Sequence, residues 1–136
     1  MQTKHYIWGN DLSGSRQGAH SAGSGPSAGG VGGLLAATST ASSTPDAFFH
    51  FDANGNVIAL SDATGNESAT YEYSAFGDII ASTGPAAFGN PFRFSTKYQD
   101  TASGFLYYGF RSYDPETGRW LNRDPIRESG GLNVYA

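Results

Sequence analysis

Alternating aromatic and polar positions dominate the chain from residue 46 onward. In FFHFDANGNVIAL the aromatic run ends at Asp52-Ala53-Asn54-Gly55-Asn56, and the apolar run Val57-Ile58-Ala59-Leu60 follows. Asn-Gly between two apolar runs predicts a β-hairpin with a type I′ turn, in which both central residues take positive φ. A second turn is predicted over Ser61–Glu67. TYEYSAFGDIIAS then repeats the theme, with Tyr71 and Tyr73 alternating, a turn ending at Gly77, and the pair Ile79-Ile80. After Gly84-Pro85 the pattern returns in NPFRFSTKYQD, where Phe92 and Phe94 alternate as in a strand, before a turn at Thr101-Ala102-Ser103-Gly104. FLYYGFRSYDPETGRWL closes the series: Tyr113-Asp114-Pro115 leads into a turn at Gly118, and Trp120-Leu121 follows.

Phe51, Tyr73 and Tyr113 hold matching positions in this pattern, 22 and 40 residues apart. Those intervals are close to one and two multiples of a ~20-residue repeat, enough for two strands and their turns. The predicted unit is one hairpin. A single hairpin is marginal in water, so the units must stack edge to edge in an antiparallel strip. The fold class is all-β.

The first 45 residues read differently. Residues 1–12 form a short aromatic segment with Tyr6 and Trp8 on one face of a strand and Ile7 on the other, and Gly9-Asn10-Asp11 reads as a turn. Residues 13–45 are mostly Ser, Gly, Ala and Thr. Such a stretch buries too little apolar surface to offset an ordering cost of about 1–2 kcal/mol per residue, which predicts a flexible loop or linker. The exception is Val31–Ala36, a short buried strand. The composition thus divides the chain into 1–45, strand plus linker, and 46–136, the repeat region.

Composition narrows the function classes. Eight Tyr, nine Phe and two Trp suit half-buried pleated surfaces, and 19 Gly with six Pro suit frequent turns. The net charge of −4 and scattered basic residues argue against nucleic acid as a partner. There is no cysteine, which excludes disulfides and thiolate chemistry. No apolar run approaches the length of a membrane span, and the N-terminus lacks a signal-peptide pattern. No cofactor or metal is expected. The GGVGG run at 29–33 lacks the Lys-Ser or Lys-Thr of a phosphate loop. His5, His20 and His50 are isolated and do not form a ligand set. Asp114 and Glu116 carry the carboxylates of a glycosidase pair, but one turn accounts for both. The Tyr/Phe ladder is expected to pack as cross-strand pairs and not to serve as a stacking platform for sugars or single strands.

The segments FDANGNVIAL, YEYSAFGDII and above all NPFRFSTKYQDTASGFLYYGFRSYDPETGRWLNRDPIRESGGLNVYA resemble the RHS (rearrangement hotspot) or YD-repeat family. The last block resembles the RHS-repeat-associated core domain, with its NPFRF start, YYGxRxYDPxxGR segment, RDPI and GGLN, and WGNDLSGS at 8–15 is similar to the segment preceding that core. The resemblance implies a strip of hairpins curving into a hollow shell around a variable C-terminal segment, often a toxin, with the core domain plugging the end. It implies turn and repeat roles for Asp52, Asn54, Gly55, Tyr73, Gly77, Tyr113, Asp114, Pro115, Gly118 and Trp120. It also implies that Arg123 and Asp124 match an Arg-Asp pair near the aspartate-dependent autoproteolytic centre of cleaving members. An aspartate near an arginine stays ionised and suits a general base.

Three departures qualify the resemblance. Arg127 stands where the family has Gly after DPI, the insert around 16–30 is long, and the chain ends at Ala136 before any DPxGL-type cleavage sequence. The expected role is therefore a structural shell or plug segment of a polymorphic toxin or surface protein, not catalytic by itself. An autoproteolytic module lacking its scissile segment and a carbohydrate-binding β-repeat module are the alternatives. The expected partners are the remaining shell repeats and an enclosed C-terminal toxin, with self-association through exposed strand edges. A secreted or cell-surface location follows only for a longer parent protein.

Overall fold

The computed structural model describes residues 4–15, 30–39, 46–125, 133 and 135. Most of the stretch expected to be flexible, together with His20 and Arg127, lies outside the described residues. The strands are β1 (Lys4–Trp8), β2 (Leu34–Ser39), β3 (Ala47–Phe51), β4 (Val57–Ser61), β5 (Glu67–Tyr73), β6 (Ile79–Thr83), β7 (Tyr98–Gln99), β8 (Leu106–Tyr107), β9 (Ser112–Asp114) and β10 (Arg119–Trp120). All pairings are antiparallel. They form two ladders, a six-stranded sheet in the order β1 to β6 and a four-stranded sheet in the order β10-β9-β8-β7. The ladder runs without a break across residue 45, because β2 pairs with β3 at Ala36↔Phe48 and Ala37↔Ala47.

The turns of the larger sheet are built from one chemical unit, which differs from the type I′ turn expected at Asn54-Gly55. Only Gly55 has positive φ there, at 76°, and Asn54 does not. The Asp52 N–H donates to the Asn56 carbonyl (3.0 Å) and the Gly55 N–H to the Asp52 carbonyl (3.0 Å). This is a three-residue loop, a type I turn closed by a glycine in the left-handed region. The same two bonds recur at Asp11–Ser15, Asp62–Asn66 and Ser74–Asp78. In each, the first side chain accepts from the backbone N–H groups two and four residues on, as in Asp52 Oδ1 with Asn54 and Asn56, both at 2.9 Å. Asp11, Asp62 and Ser74 do the same. A carboxylate that organises its own turn makes the type I geometry locally self-sufficient, and the I′ alternative then has nothing to offer. These bonds also hold the Asp11 carboxyl at about 2, through the Ser13 and Ser15 hydroxyls first, and lower that of Asp62 through Thr64.

Four of the five strand pairs in this sheet also carry a β-bulge, β2–β3 being the exception. The register skips Leu35 opposite Ile7/Trp8, Ile58 opposite His50/Phe51, Ser68 opposite Leu60/Ser61, and Ile80 opposite Glu72/Tyr73. Bulges bend a strand and increase its local twist. They also explain why apolar residues come in pairs after the turns. Leu34 and Val57 are fully buried while their neighbours Leu35, Ile58 and Ile80 are exposed.

One face of the sheet carries the core of Leu34, Ala37, Phe49, Val57, Leu60, Ala69 and Tyr71, with Tyr6, Trp8, Phe51 and Tyr73 packed against it. Burying a side chain such as Leu60 contributes roughly 1.5–3 kcal/mol. The second sheet uses longer loops. Asp100 and Asp114 each accept at their carbonyl from a glycine four residues on, Gly104 and Gly118, and β8–β9 close through a two-residue turn in which Gly109 has φ 89°. The NPFRF segment is not the strand expected. Phe92 forms an isolated bridge with Tyr98, and Phe94–Thr96 is a 3₁₀ turn with Ser95 and Thr96 at φ 52° and 56°.

Removing residues 1–45 strips β1 and β2 from the ladder and opens the edge of β3. We expect residues 46–136 alone to melt broadly or to self-associate in sedimentation, against a cooperative full-length chain. A monomeric, cooperatively melting truncation would contradict this. Gly77 and Gly65 provide a second test. Both have positive φ, but a Cβ on Gly77 would stand 2.4 Å from the Phe94 ring while Gly65 faces open space. Gly65→Ala should cost about 1–2 kcal/mol of backbone strain, and Gly77→Ala at least about 1 kcal/mol more. Equal losses on thermal denaturation would refute the close packing.

Candidate functional site

A single layer of sheet leaves its apolar face open, and the chain itself covers it here. After β6 the backbone does not add a seventh strand. Residues 85–97 turn onto the core face instead and run along it as a strap. The Ala86 N–H donates to the Ser68 carbonyl (3.0 Å), and the Tyr71 hydroxyl donates to the Ala87 carbonyl (2.9 Å). Asn90 stiffens the next bend, donating from Nδ2 to the Phe92 carbonyl (2.7 Å) and accepting from the Phe92 N–H (3.1 Å). Phe92 then sits edge-on to Tyr6 (4.8 Å) and Trp8 (5.6 Å), so the strap reaches from the last strand of the sheet to the first. Lys4 Nζ adds a bond to the Gly89 carbonyl (3.2 Å).

The strap ends in a polar knot against the β3–β4 turn. The Val57 N–H donates to the Arg93 carbonyl (3.1 Å), and the Ser95 N–H donates to Asn56 Oδ1 (2.8 Å). Thr96 is wholly buried. Its hydroxyl donates to the Gly55 carbonyl and accepts from the Gly32 N–H, both at 2.7 Å. A β-branched residue at φ 56° is strained, and these two bonds account for its retention. Phe94 packs on Tyr73 (5.8 Å), whose hydroxyl donates to the Val57 carbonyl (2.6 Å). Burial raises the pKa of Tyr73 and of Tyr71. Burial lowers that of Lys97, whose ammonium lies 5.4 Å from the Tyr108 ring centre.

The second sheet is joined to the first through turns. The Tyr113 hydroxyl donates to the Phe76 carbonyl (2.9 Å), and the Phe76 ring lies over Gly118, where a Cβ would meet it at 2.9 Å. Trp120 stacks edge-on with Tyr108 (4.9 Å) and Tyr113 (5.3 Å). The Asp114 carboxylate, below Pro115, accepts from the Glu116 N–H (3.0 Å) and the Thr117 hydroxyl (2.7 Å), so it organises its own turn.

Asp124 meets Arg111, with Nη1 and Oδ2 3.3 Å apart. The Arg111 guanidinium lies 4.4 Å from the Trp120 ring centre and donates from Nη2 to the Asn122 carbonyl (3.0 Å). These groups, with Tyr108, Phe110 and Pro125, line a cavity of about 510 Å³, and Arg123 is exposed. Sequence reasoning singled out Arg123 and Asp124 but not Arg111, which lies 13 residues from Asp124 and is brought there by the β8–β9 turn. It also missed Asn90, Arg93 and Thr96, whose roles depend on contacts with distant strands. His50 Nε2 lies 2.8 Å from Ser61 Oγ. Among the described residues no three His, Cys, Asp or Glu side chains gather as a metal site, and no helix is long and apolar enough to cross a membrane.

Comparison with known proteins agrees with this architecture. The RHS repeat family model matches residues 51–87, which span β4 to β6 and the start of the strap. The double-stranded DNA deaminase toxin A of Burkholderia cenocepacia is 38% identical over 90 residues, covering 64% of this chain and 6% of that protein. The tRNA nuclease WapA of Bacillus subtilis is 34% identical over 85 residues, 62% of this chain and 4% of the relative. Among solved structures, TcdB2-TccC3 without its hypervariable C-terminal region superposes with a TM-score of 0.61 at 32% identity, over 65% of this chain and 4% of that one. The chain therefore spans only a small part of the length of these relatives. It is a segment of the RHS-repeat family, related to the RHS-repeat toxins.

Proposed function

We propose that this chain is the closing segment of an RHS shell and performs no catalysis by itself. In this reading β1–β6 are wall, and the strap with the second sheet is the plug that ends it. The remaining repeats of a longer polypeptide pair with the outer edge of β1, and a C-terminal toxin segment is the enclosed cargo. The parent protein is secreted or displayed at the cell surface. The observation that carries the reading is the strap. A wall hairpin hands its edge to the next strand, whereas residues 85–97 abandon the ladder and fill the core face from β5 to β1. The bulges in four of the five strand pairs support it too, since repeated bends suit a closing wall. The buried Tyr6, Trp8, Tyr71 and Tyr73 rings are spent on packing, which disfavours the carbohydrate-binding alternative.

A second reading, autoproteolysis assisted by Asp124 in a longer parent chain, is favoured by one observation. The Arg111–Asp124 pair lines a cavity of about 510 Å³ with room for a peptide. A carboxylate facing that cavity is placed to accept a proton from a water bound there.

Two experiments separate these readings in the native-length polypeptide. Limited proteolysis should leave the segment after the core protected, and Phe92→Ala with Phe94→Ala should expose it while the upstream repeats stay resistant. Unchanged protection in the double variant would remove the plug. Intact-mass analysis should show a chain far larger than 14.3 kDa. If it shows cleavage after the core, Asp124→Asn should abolish that cleavage without altering thermal stability by more than a few degrees. Undiminished cleavage would exclude Asp124.

A further inference from the structure

The end of β6 borders a cavity of about 410 Å³, walled by Ser82, Thr83, Phe88, Arg93, Asp100 and Thr101 among others. Arg93 is the notable group in it. Its guanidinium donates from Nε to the Asn90 carbonyl (3.1 Å), from Nη1 to Gln99 Oε1 (3.0 Å) and from Nη2 to the Ala87 carbonyl (3.2 Å). All three acceptors are neutral. Arginine has five N–H donors, so two remain for a further acceptor. Among the described residues the one ion pair is Arg111–Asp124, and no carboxylate lies within 4 Å of Arg93. Asp100 shares the cavity, but its carboxylate is held by the Ser103 N–H (3.0 Å) and hydroxyl (2.6 Å) in its own turn. A half-buried cation answered only by neutral oxygens and by the Tyr71 ring face, 5.7 Å from its centre, still lacks a counter-charge, and an arriving carboxylate would gain a charge-assisted, fork-shaped contact.

The neighbouring strand supplies the rest of a recognition surface. β6 is the last strand of its sheet, and its free edge has no partner among the described residues. Its sequence, Ile-Ile-Ala-Ser-Thr, contains neither charge nor proline, the usual protections of an edge. Phe88, 86% exposed, stands at the cavity rim as an apolar contact.

We propose that β6 and the Arg93 cavity together form a docking site for an extended acidic peptide segment. Its backbone adds to the β6 edge, and a glutamate side chain enters the cavity to meet the Arg93 guanidinium. Strand addition provides affinity from main-chain bonds, and the cavity provides the selectivity. The site is independent of the shell reading, because it requires only the folded 136-residue chain.

The test is a titration of the isotope-labelled full chain with Ac-Thr-Val-Glu-Val-Thr-NH2 and with its Gln counterpart. The Glu peptide should slow amide exchange across Ile79–Thr83 and bind roughly tenfold or more tightly than the Gln peptide, the worth of a charged hydrogen bond. Arg93→Gln, which removes the charge, should erase that preference. Because Arg93 also ties the strap, Thr101→Glu is the second variant. It places a carboxylate at the cavity wall, and should weaken the Glu peptide by a similar factor while the β1–β5 resonances stay in place. Equal affinity for the two peptides, unperturbed β6 amides, or a Thr101→Glu chain that binds as before would overturn the proposal. So would sedimentation showing that two copies pair through β6 and exclude both peptides.

Discussion

A twisted sheet with one apolar face has to bury that face, and the described residues supply no second six-stranded sheet or helix layer to do it. The strap of residues 85–97 meets this constraint. Its few anchors fall on two widely separated strands: the Ala87 carbonyl at Tyr71 and the Phe94 ring on Tyr73, both of β5, and the Phe92 ring against Tyr6 and Trp8 of β1. Its polar groups matter as much. Backbone that leaves a ladder must find other partners for its N–H and C=O groups, and the strap finds them in Ser68, Val57 and Asn56. The strained Ser95 and Thr96 are tolerated because the buried Thr96 hydroxyl bonds two backbone groups that would otherwise be orphaned beneath it.

The rest of the fold follows from how the strap is held. Gly55 and Gly77 are turn residues whose positive φ closes their loops, and both also lie flat against the elements folded onto them, Gly55 against Val31 and Gly77 against Phe94. Local turn chemistry and long-range packing thus use the same atoms. The N-terminal strands participate equally. Without Tyr6 and Trp8 the far end of the strap would rest on water, which is why a chain whose composition divides at residue 45 forms one six-stranded ladder across that point.

Under the proposed shell reading, this geometry serves as a scaffold. The carboxylates of Asp52, Asp62, Asp100 and Asp114 are each occupied with backbone N–H groups of their own turns. The rings of Tyr6, Trp8, Tyr71, Tyr73 and Phe92 pack on the core, and those of Tyr108, Tyr113 and Trp120 pack on one another in the second sheet. Among the described residues an arginine and a carboxylate share a cavity in two places, the Arg111–Asp124 cavity and the Arg93 cavity beside β6.

The amino-acid pattern by itself determined the all-β class, the hairpin unit, most turn positions and the shared face of Tyr6 and Trp8 and of Tyr71 and Tyr73, because alternation and turn residues act over a few neighbouring positions. It also pointed to the RHS-repeat family, through motifs that read linearly. Asn54-Gly55 forms a type I turn because the Asp52 carboxylate captures the amides of its own turn, a local effect that the Asn-Gly pair alone does not show. Two things were decided only by tertiary structure. NPFRF leaves the ladder because the exposed core face outcompetes strand pairing for Phe92 and Phe94. Arg111 meets Asp124 in an ion pair, because the β8–β9 turn carries it across. Each is a contest between local preference and a distant surface, and a periodicity of two residues carries no information about the distant surface.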